Sequence, residues 1–145
     1  MKKLFVIGDL HFSTSRPWDY ESFKNFLKWF EKYDFGKYEE CELIQLGDVT
    51  EKGTNTGTPM EMMTEFFSSA LKKFNHIYVL GGNHCHKLVN DTSQFVTQYL
   101  PLMSDNISVI YDEKEFMTDS GMNVLALPYK HTDIGIEKYY NECLD

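Results

Sequence analysis

The first half of the chain alternates short apolar runs with stretches whose apolar residues recur at helical spacing. Residues 3–7, 43–46 and 76–80 are apolar runs of strand length, each followed by glycine and polar residues. Between the first two runs, aromatic and aliphatic residues share one helical face, which predicts a helix over residues 19–33. A second helix is predicted from Thr58, with Thr58 as N-cap, Pro59 at the first helical position and Glu61 closing a capping box.

Strand, helix, strand, helix and strand in this order predict βαβ units and a parallel sheet. Farther along, the same periodicities predict a helix over residues 91–100 and strands over 108–111, 115–118 and 123–127, with a last helix over 132–144. The turn sequence Asp119-Ser120-Gly121 joins two of these strands into an antiparallel hairpin. The predicted fold is a layered α/β sandwich with a parallel core and a later hairpin, and residues 1–145 are predicted to form one domain or the N-terminal portion of one.

Composition narrows the class of protein. The chain is 42% hydrophobic and 15% aromatic, enough for a packed core, and no apolar run approaches the ~20 residues of a membrane span. Three widely spaced cysteines favour free thiols in a reducing compartment, so a cytoplasmic location is predicted. The net charge of −8 argues against a broad basic surface for nucleic acid. This negative charge does not exclude an enzyme that binds phosphates through bound cations.

The ends of the first three strands carry the candidate chemistry. Asp9 and His11 follow the first strand, Asp48 follows the second, and Asn83 and His84 follow the third. Ligands of open α/β sheets collect at the carboxyl ends of the strands, so these side chains are expected to converge if the strands are neighbours. Carboxylate, carboxamide and imidazole donors suit Mn²⁺, Fe or Zn²⁺.

Three segments carry a family resemblance. DLH at 9–11, GDVTE at 47–51 and GGNH at 81–84 resemble, in order and spacing, the first three motifs of the calcineurin-like metallophosphoesterases. VLALPY at 124–129 is similar to a strand of the nuclease branch, the repair-exonuclease subunits.

The resemblance implies hydrolysis of a phosphomonoester or phosphodiester at a two-metal site. Asp9 and His11 would hold one divalent ion, Asp48 would bridge, Asn83 would hold the second ion, and His84 would assist catalysis near the leaving group. Mn²⁺ is the first choice of metal, with Fe, Zn²⁺ or Mg²⁺ as alternatives, and nucleic acid is one candidate substrate. Nuclease and phosphatase activity both remain open.

The late histidines of the family pattern have no clear counterpart. No Gly-His-x-His pair follows His84, so the chain resembles the first half to two-thirds of such a domain, and a truncated fold is expected. His131 and His86 are further candidate ligands, and a second chain could complete the metal site. The alternative function is a non-catalytic, metal-binding or partner-binding remnant.

Overall fold

The computed structural model describes residues 1–51, 57–84, 86–89 and 92–129. In chain order the elements are β1 (Lys3–Ile7), α1 (Asp19–Lys32), β2 (Cys41–Gln45), α2 (Thr58–Ala70), β3 (His76–Leu80), β4 (His86–Val89), β5 (Thr92–Phe95), β6 (Ile107–Ile110), β7 (Lys114–Met117) and β8 (Asn123–Ala126). Short 3-10 helices occupy Tyr38–Glu40 and Val96–Leu102.

Four of the described strands form the central sheet, in the order β1-β2-β3-β6, and every neighbouring pair is parallel. The pairs β4-β5 and β7-β8 are separate antiparallel ribbons. The predicted α/β class, the parallel core and the later hairpin are therefore confirmed. Because β1, β2 and β3 are adjacent and point the same way, the three polar segments after them meet at one edge of the sheet.

One face of the sheet packs against both helices through an aromatic core. Phe66 is fully buried in α2, and its ring lies 5.8 Å from Phe12, 5.9 Å from Phe26 and 5.1 Å from Phe30. Phe12 belongs to the segment after β1 that also carries Asp9 and His11. The site segment is thus anchored directly in the core.

The opposite face of the sheet contacts the β7-β8 hairpin through buried polar groups. Glu42 has no exposed surface and accepts hydrogen bonds from the Tyr78 hydroxyl (3.3 Å) and the Ser120 backbone N–H (3.1 Å). The Asp119 N–H donates to the Tyr78 hydroxyl in turn (3.3 Å). Burial raises the pKa of Tyr78 to about 12, and the nearby carboxylates Glu42 and Asp119 act in the same direction. The hairpin turn is therefore tied to strands β2 and β3.

Two sequence predictions are wrong. The helix over residues 91–100 is absent: Thr92–Phe95 pairs with β4 as a strand, and only Val96–Leu102 is helical, as a 3-10 helix. Strand pairing with β4 satisfies the backbone of β5, which overrides the local helical spacing. The capping box also fails, because α2 begins at Thr58 itself and Gly57, at φ +68°, is the N-cap.

The predicted helix over residues 132–144 lies outside the described residues. In the described part of the chain, no helix combines the length and apolar character needed to cross a bilayer.

Candidate metal centre

The segments after β1 and β2 have an unusual backbone. Asp9, His11 and Asp48 adopt φ values of +49°, +45° and +52°, a region that residues other than glycine seldom occupy. Such conformations cost on the order of 1–3 kcal/mol each and persist only where the surroundings impose them.

Backbone hydrogen bonds between the two segments impose them here. The His11 N–H donates to the Asp48 carbonyl (2.8 Å), and the Phe12 N–H donates to the Val49 carbonyl (2.8 Å). The Glu51 N–H donates to the Phe12 carbonyl (3.1 Å). This short parallel bridge holds the two segments side by side beyond the ends of their strands.

The bridge brings three of the predicted metal ligands together. His11 Nε2 lies 3.6 Å from Asp9 Oδ1 and 3.9 Å from Asp48 Oδ2. One ligand atom from each of the three residues falls within 4.8 Å of the other two. The Asp9 side chain is 82% exposed and that of Asp48 only 16%, so the cluster opens to solvent on the Asp9 side.

Glycines let the end of β3 approach Asp48. A Cβ added to Gly82 would collide with the Asp48 backbone nitrogen and carboxylate, and one added to Gly47 would lie 2.8 Å from the Gly82 Cα. The close approach allows the His84 N–H to donate to Asp48 Oδ1 at 2.8 Å. The buried side chain of Gln45 fixes Gly47, because its amide nitrogen donates to the Gly47 carbonyl and its amide oxygen accepts from the Gly47 N–H.

Glu51 joins the two imidazoles of the site. Its carboxylate lies 3.0 Å from His11 Nδ1 and 3.1 Å from His84 Nδ1, and the two rings are 4.9 Å apart. A carboxylate accepts hydrogen bonds, so Nδ1 of His11 is the donor in its contact, and Nε2 of His11 keeps its lone pair when the ring is neutral. These contacts favour a role for Glu51 in orienting the two imidazoles.

The donor set fits a divalent cation. Two carboxylates and the free Nε2 of a carboxylate-anchored imidazole converge, which is the arrangement that orients histidine ligands toward metals. Within the described ranges, neither Asp9 nor Asp48 has a lysine or arginine partner that would neutralise it. A bound cation would supply the missing positive charge.

The other predicted ligands are Asn83, His86 and His131. Asn83 is exposed beside His84, and among the described residues it makes no hydrogen bond to the other predicted ligands. His86 begins strand β4, and only its backbone is described. His131 lies outside the described residues. The ligand roles of Asn83, His86 and His131 therefore stay predictions, as does the catalytic role of His84.

A parallel α/β sheet with a carboxylate–imidazole cluster at its carboxyl edge is an arrangement suited to binding a metal ion. The family model of the calcineurin-like phosphoesterases matches residues 2–142, nearly the whole chain, and the chain belongs to this family. This confirms the family resemblance predicted from the three motifs. A search of curated proteins gives no match to this sequence.

Proposed function

We propose that the protein is a metal-dependent phosphoesterase that hydrolyses a phosphomonoester or phosphodiester at a two-metal site. The observation that supports this most directly is the convergence of Asp9, His11 and Asp48 at the sheet edge. A pair of divalent ions, Mn²⁺ by preference, would polarise the phosphoryl oxygens and supply an activated water for in-line attack.

The chain's own residues have separate tasks in this proposal. Asp9, His11 and Asp48 hold the metal centre, and Asn83 adds a neutral oxygen ligand. His84 is fixed through its backbone N–H on Asp48 and its ring on Glu51, so its free Nε2 can protonate the leaving oxygen when the ring is charged. Glu51 lies 3.1 Å from Nδ1 of the same ring and holds the orientation of that ring.

The test is hydrolysis of p-nitrophenyl phosphate and bis(p-nitrophenyl) phosphate, with and without Mn²⁺, by the wild type and Asp48→Asn. The amide keeps an oxygen for the His84 N–H but removes the charge, so turnover should fall by about 100-fold or more. The preferred substrate of the pair separates phosphatase from phosphodiesterase or nuclease activity.

Asp105→Asn is the matched control. Asp105 is exposed in the turn before β6, at the amino end of a parallel sheet whose carboxyl end carries the site. Equal Mn²⁺-dependent rates in both variants would refute the proposal. A folded wild type that binds Mn²⁺ in calorimetry without turnover would instead favour the alternative, a non-catalytic metal-binding domain.

A further inference from the structure

A cavity of about 340 Å³ extends from the metal centre toward the start of α1. Its lining includes Asp9 and His11 of the metal centre together with Arg16 and Trp18. Its volume is at the small end of the range of roughly 300–1,000 Å³ typical of ligand pockets. It therefore suits one substrate unit lying beside the metal centre.

Arg16 is held in place by a buried carboxylate. Asp19 is 8% exposed, and its side chain accepts hydrogen bonds from Arg16 Nε (2.8 Å) and from the Arg16 backbone N–H (3.1 Å). Burial opposes the charge on Asp19, but the hydrogen bonds from Arg16 and Ser13 and the guanidinium charge outweigh it and lower the pKa of this carboxyl. Asp19 is therefore a positioning residue for Arg16.

The outer edge of Arg16 remains available. Its side chain is 63% exposed, and within the part of the chain that the structure describes its hydrogen bonds use only Nε and the backbone. The two terminal nitrogens form a planar fork that matches phosphate oxygens. Arg16 lines the same cavity as Asp9 and His11, so its terminal N–H groups can donate to an anion bound there.

Trp18 adds an aromatic surface to the same cavity. It is 58% exposed, so part of its ring is accessible from solvent. The Arg16 guanidinium lies 5.9 Å from its ring centroid, within cation–π range. Exposed aromatic rings of this kind, next to arginine, serve as stacking platforms for nucleobases.

We infer that Arg16 and Trp18 form a subsite for one nucleotide unit of the substrate, with phosphate oxygens on Arg16 and the base against Trp18. This inference rests on the proposed phosphoesterase function and narrows its substrate class to nucleotide phosphoesters. The same chemistry is present in a free nucleotide and in a single strand, so the test includes both.

The first experiment measures binding without catalysis. Trp29→Phe keeps an aromatic ring beside Phe26 and Tyr33 and leaves Trp18 as the only tryptophan. Trp18 fluorescence is then titrated with AMP, ribose 5-phosphate, adenosine and a short oligothymidylate, with Mg²⁺ and without it. AMP should quench saturably and bind at least about tenfold more tightly than ribose 5-phosphate, because only AMP carries the base.

Arg16→Gln in this background should weaken AMP binding about tenfold or more, since a charge-assisted contact is lost. Lys28→Gln, on the exposed side of α1, is the matched control and should leave binding unchanged. Tighter binding of the oligothymidylate than of AMP would indicate a strand substrate, and the reverse a free nucleotide. Absence of base-dependent quenching, or equal affinity in Arg16→Gln, would overturn the inference.

The second experiment separates the subsite from the chemistry. Thymidine 5′-(p-nitrophenyl phosphate) and methyl p-nitrophenyl phosphate share a leaving group, so the ratio of their kcat/KM values isolates the nucleoside contribution. Trp18→Leu should lower this ratio about fivefold or more, and Lys28→Gln should not. An unchanged ratio with both substrates hydrolysed would refute the subsite and leave the phosphoesterase proposal intact. Base-dependent fluorescence quenching without turnover would support the subsite and refute the phosphoesterase proposal.

Discussion

Gly82 is the position where the structure most clearly excludes a side chain. A Cβ there would overlap the Asp48 backbone nitrogen and carboxylate oxygen and would lie 3.0 Å from the Asp48 Cγ. One of these atoms belongs to the backbone. The other belongs to a short carboxylate that accepts a hydrogen bond from the His84 N–H, so neither can move away from the added Cβ. Gly82→Ala should therefore push the ends of β2 and β3 apart and displace Asp48.

The expected magnitude follows from overpacking and misplacement. Overpacking of this kind costs about 1–3 kcal/mol, which corresponds to a melting temperature roughly 2–12 °C lower for a chain of this size. A displacement of about 1 Å at a metal ligand should lower kcat/KM by about 100-fold. Thermal unfolding followed by circular dichroism and Mn²⁺-dependent hydrolysis of bis(p-nitrophenyl) phosphate measure the two effects.

Gly8→Ala is the matched control at the same edge of the sheet. A Cβ on Gly8 would meet only the Leu46 side chain, at an ordinary contact distance of 3.7 Å. This variant should keep its melting temperature and most of its activity. If Gly82→Ala and Gly8→Ala behave alike, the close approach of β2 and β3 is not what holds Asp48.

Three other predictions concern the site, the core and the hairpin. Glu51→Gln removes the charge that holds both imidazoles and should weaken Mn²⁺ binding by about 10–100-fold in calorimetry, whereas unchanged affinity would contradict the orienting role. Phe66→Ala should cost about 3–5 kcal/mol in urea unfolding, and Leu102→Ala, 84% exposed, should stay within about 0.5 kcal/mol; similar losses would contradict the assigned core. The pKa of Tyr78 is higher in the folded state, so its contribution is present below about pH 10 and is lost as pH rises through about 12. The stability gap between wild type and Tyr78→Phe should therefore shrink over that pH range, and a constant gap would contradict the raised pKa.

The sequence predicted the central sheet well because buried parallel strands have a strong local signature. Lys3–Ile7 and His76–Leu80 match their predicted bounds residue for residue. Each is a short, mainly apolar run closed by glycine, which is the local pattern of a strand in a parallel sheet. The adjacency of β1 and β2 then places Asp9, His11 and Asp48 at the same edge of the sheet.

The β4-β5 ribbon could not be predicted in the same way. Phe95, Val96, Tyr99 and Leu100 have helical spacing, yet the first of them lies in a strand. Val89 pairs with Thr92, only three residues along the chain, and the helical spacing of the apolar residues that follow hides this local strand pairing. The contacts of Arg16 with Asp19 were missed for another reason: a charged pair three residues apart at a helix entrance is indistinguishable, in sequence, from a surface ion pair.

The backbone conformations of the site were also beyond local rules, and this failure is informative. Residues other than glycine are uncommon at positive φ, with asparagine, aspartate and histidine the most frequent among them, and Asp9, His11 and Asp48 all occupy that region. Glycine, at positions 8, 47 and 82, stands immediately beside these strained residues or packs against them. The strained positions are therefore reserved for residues whose side chains carry ligand atoms, and the neighbouring glycines provide the space. Because a natural sequence violates local preference mainly where function requires it, the strain itself supports a metal-binding role for these three residues.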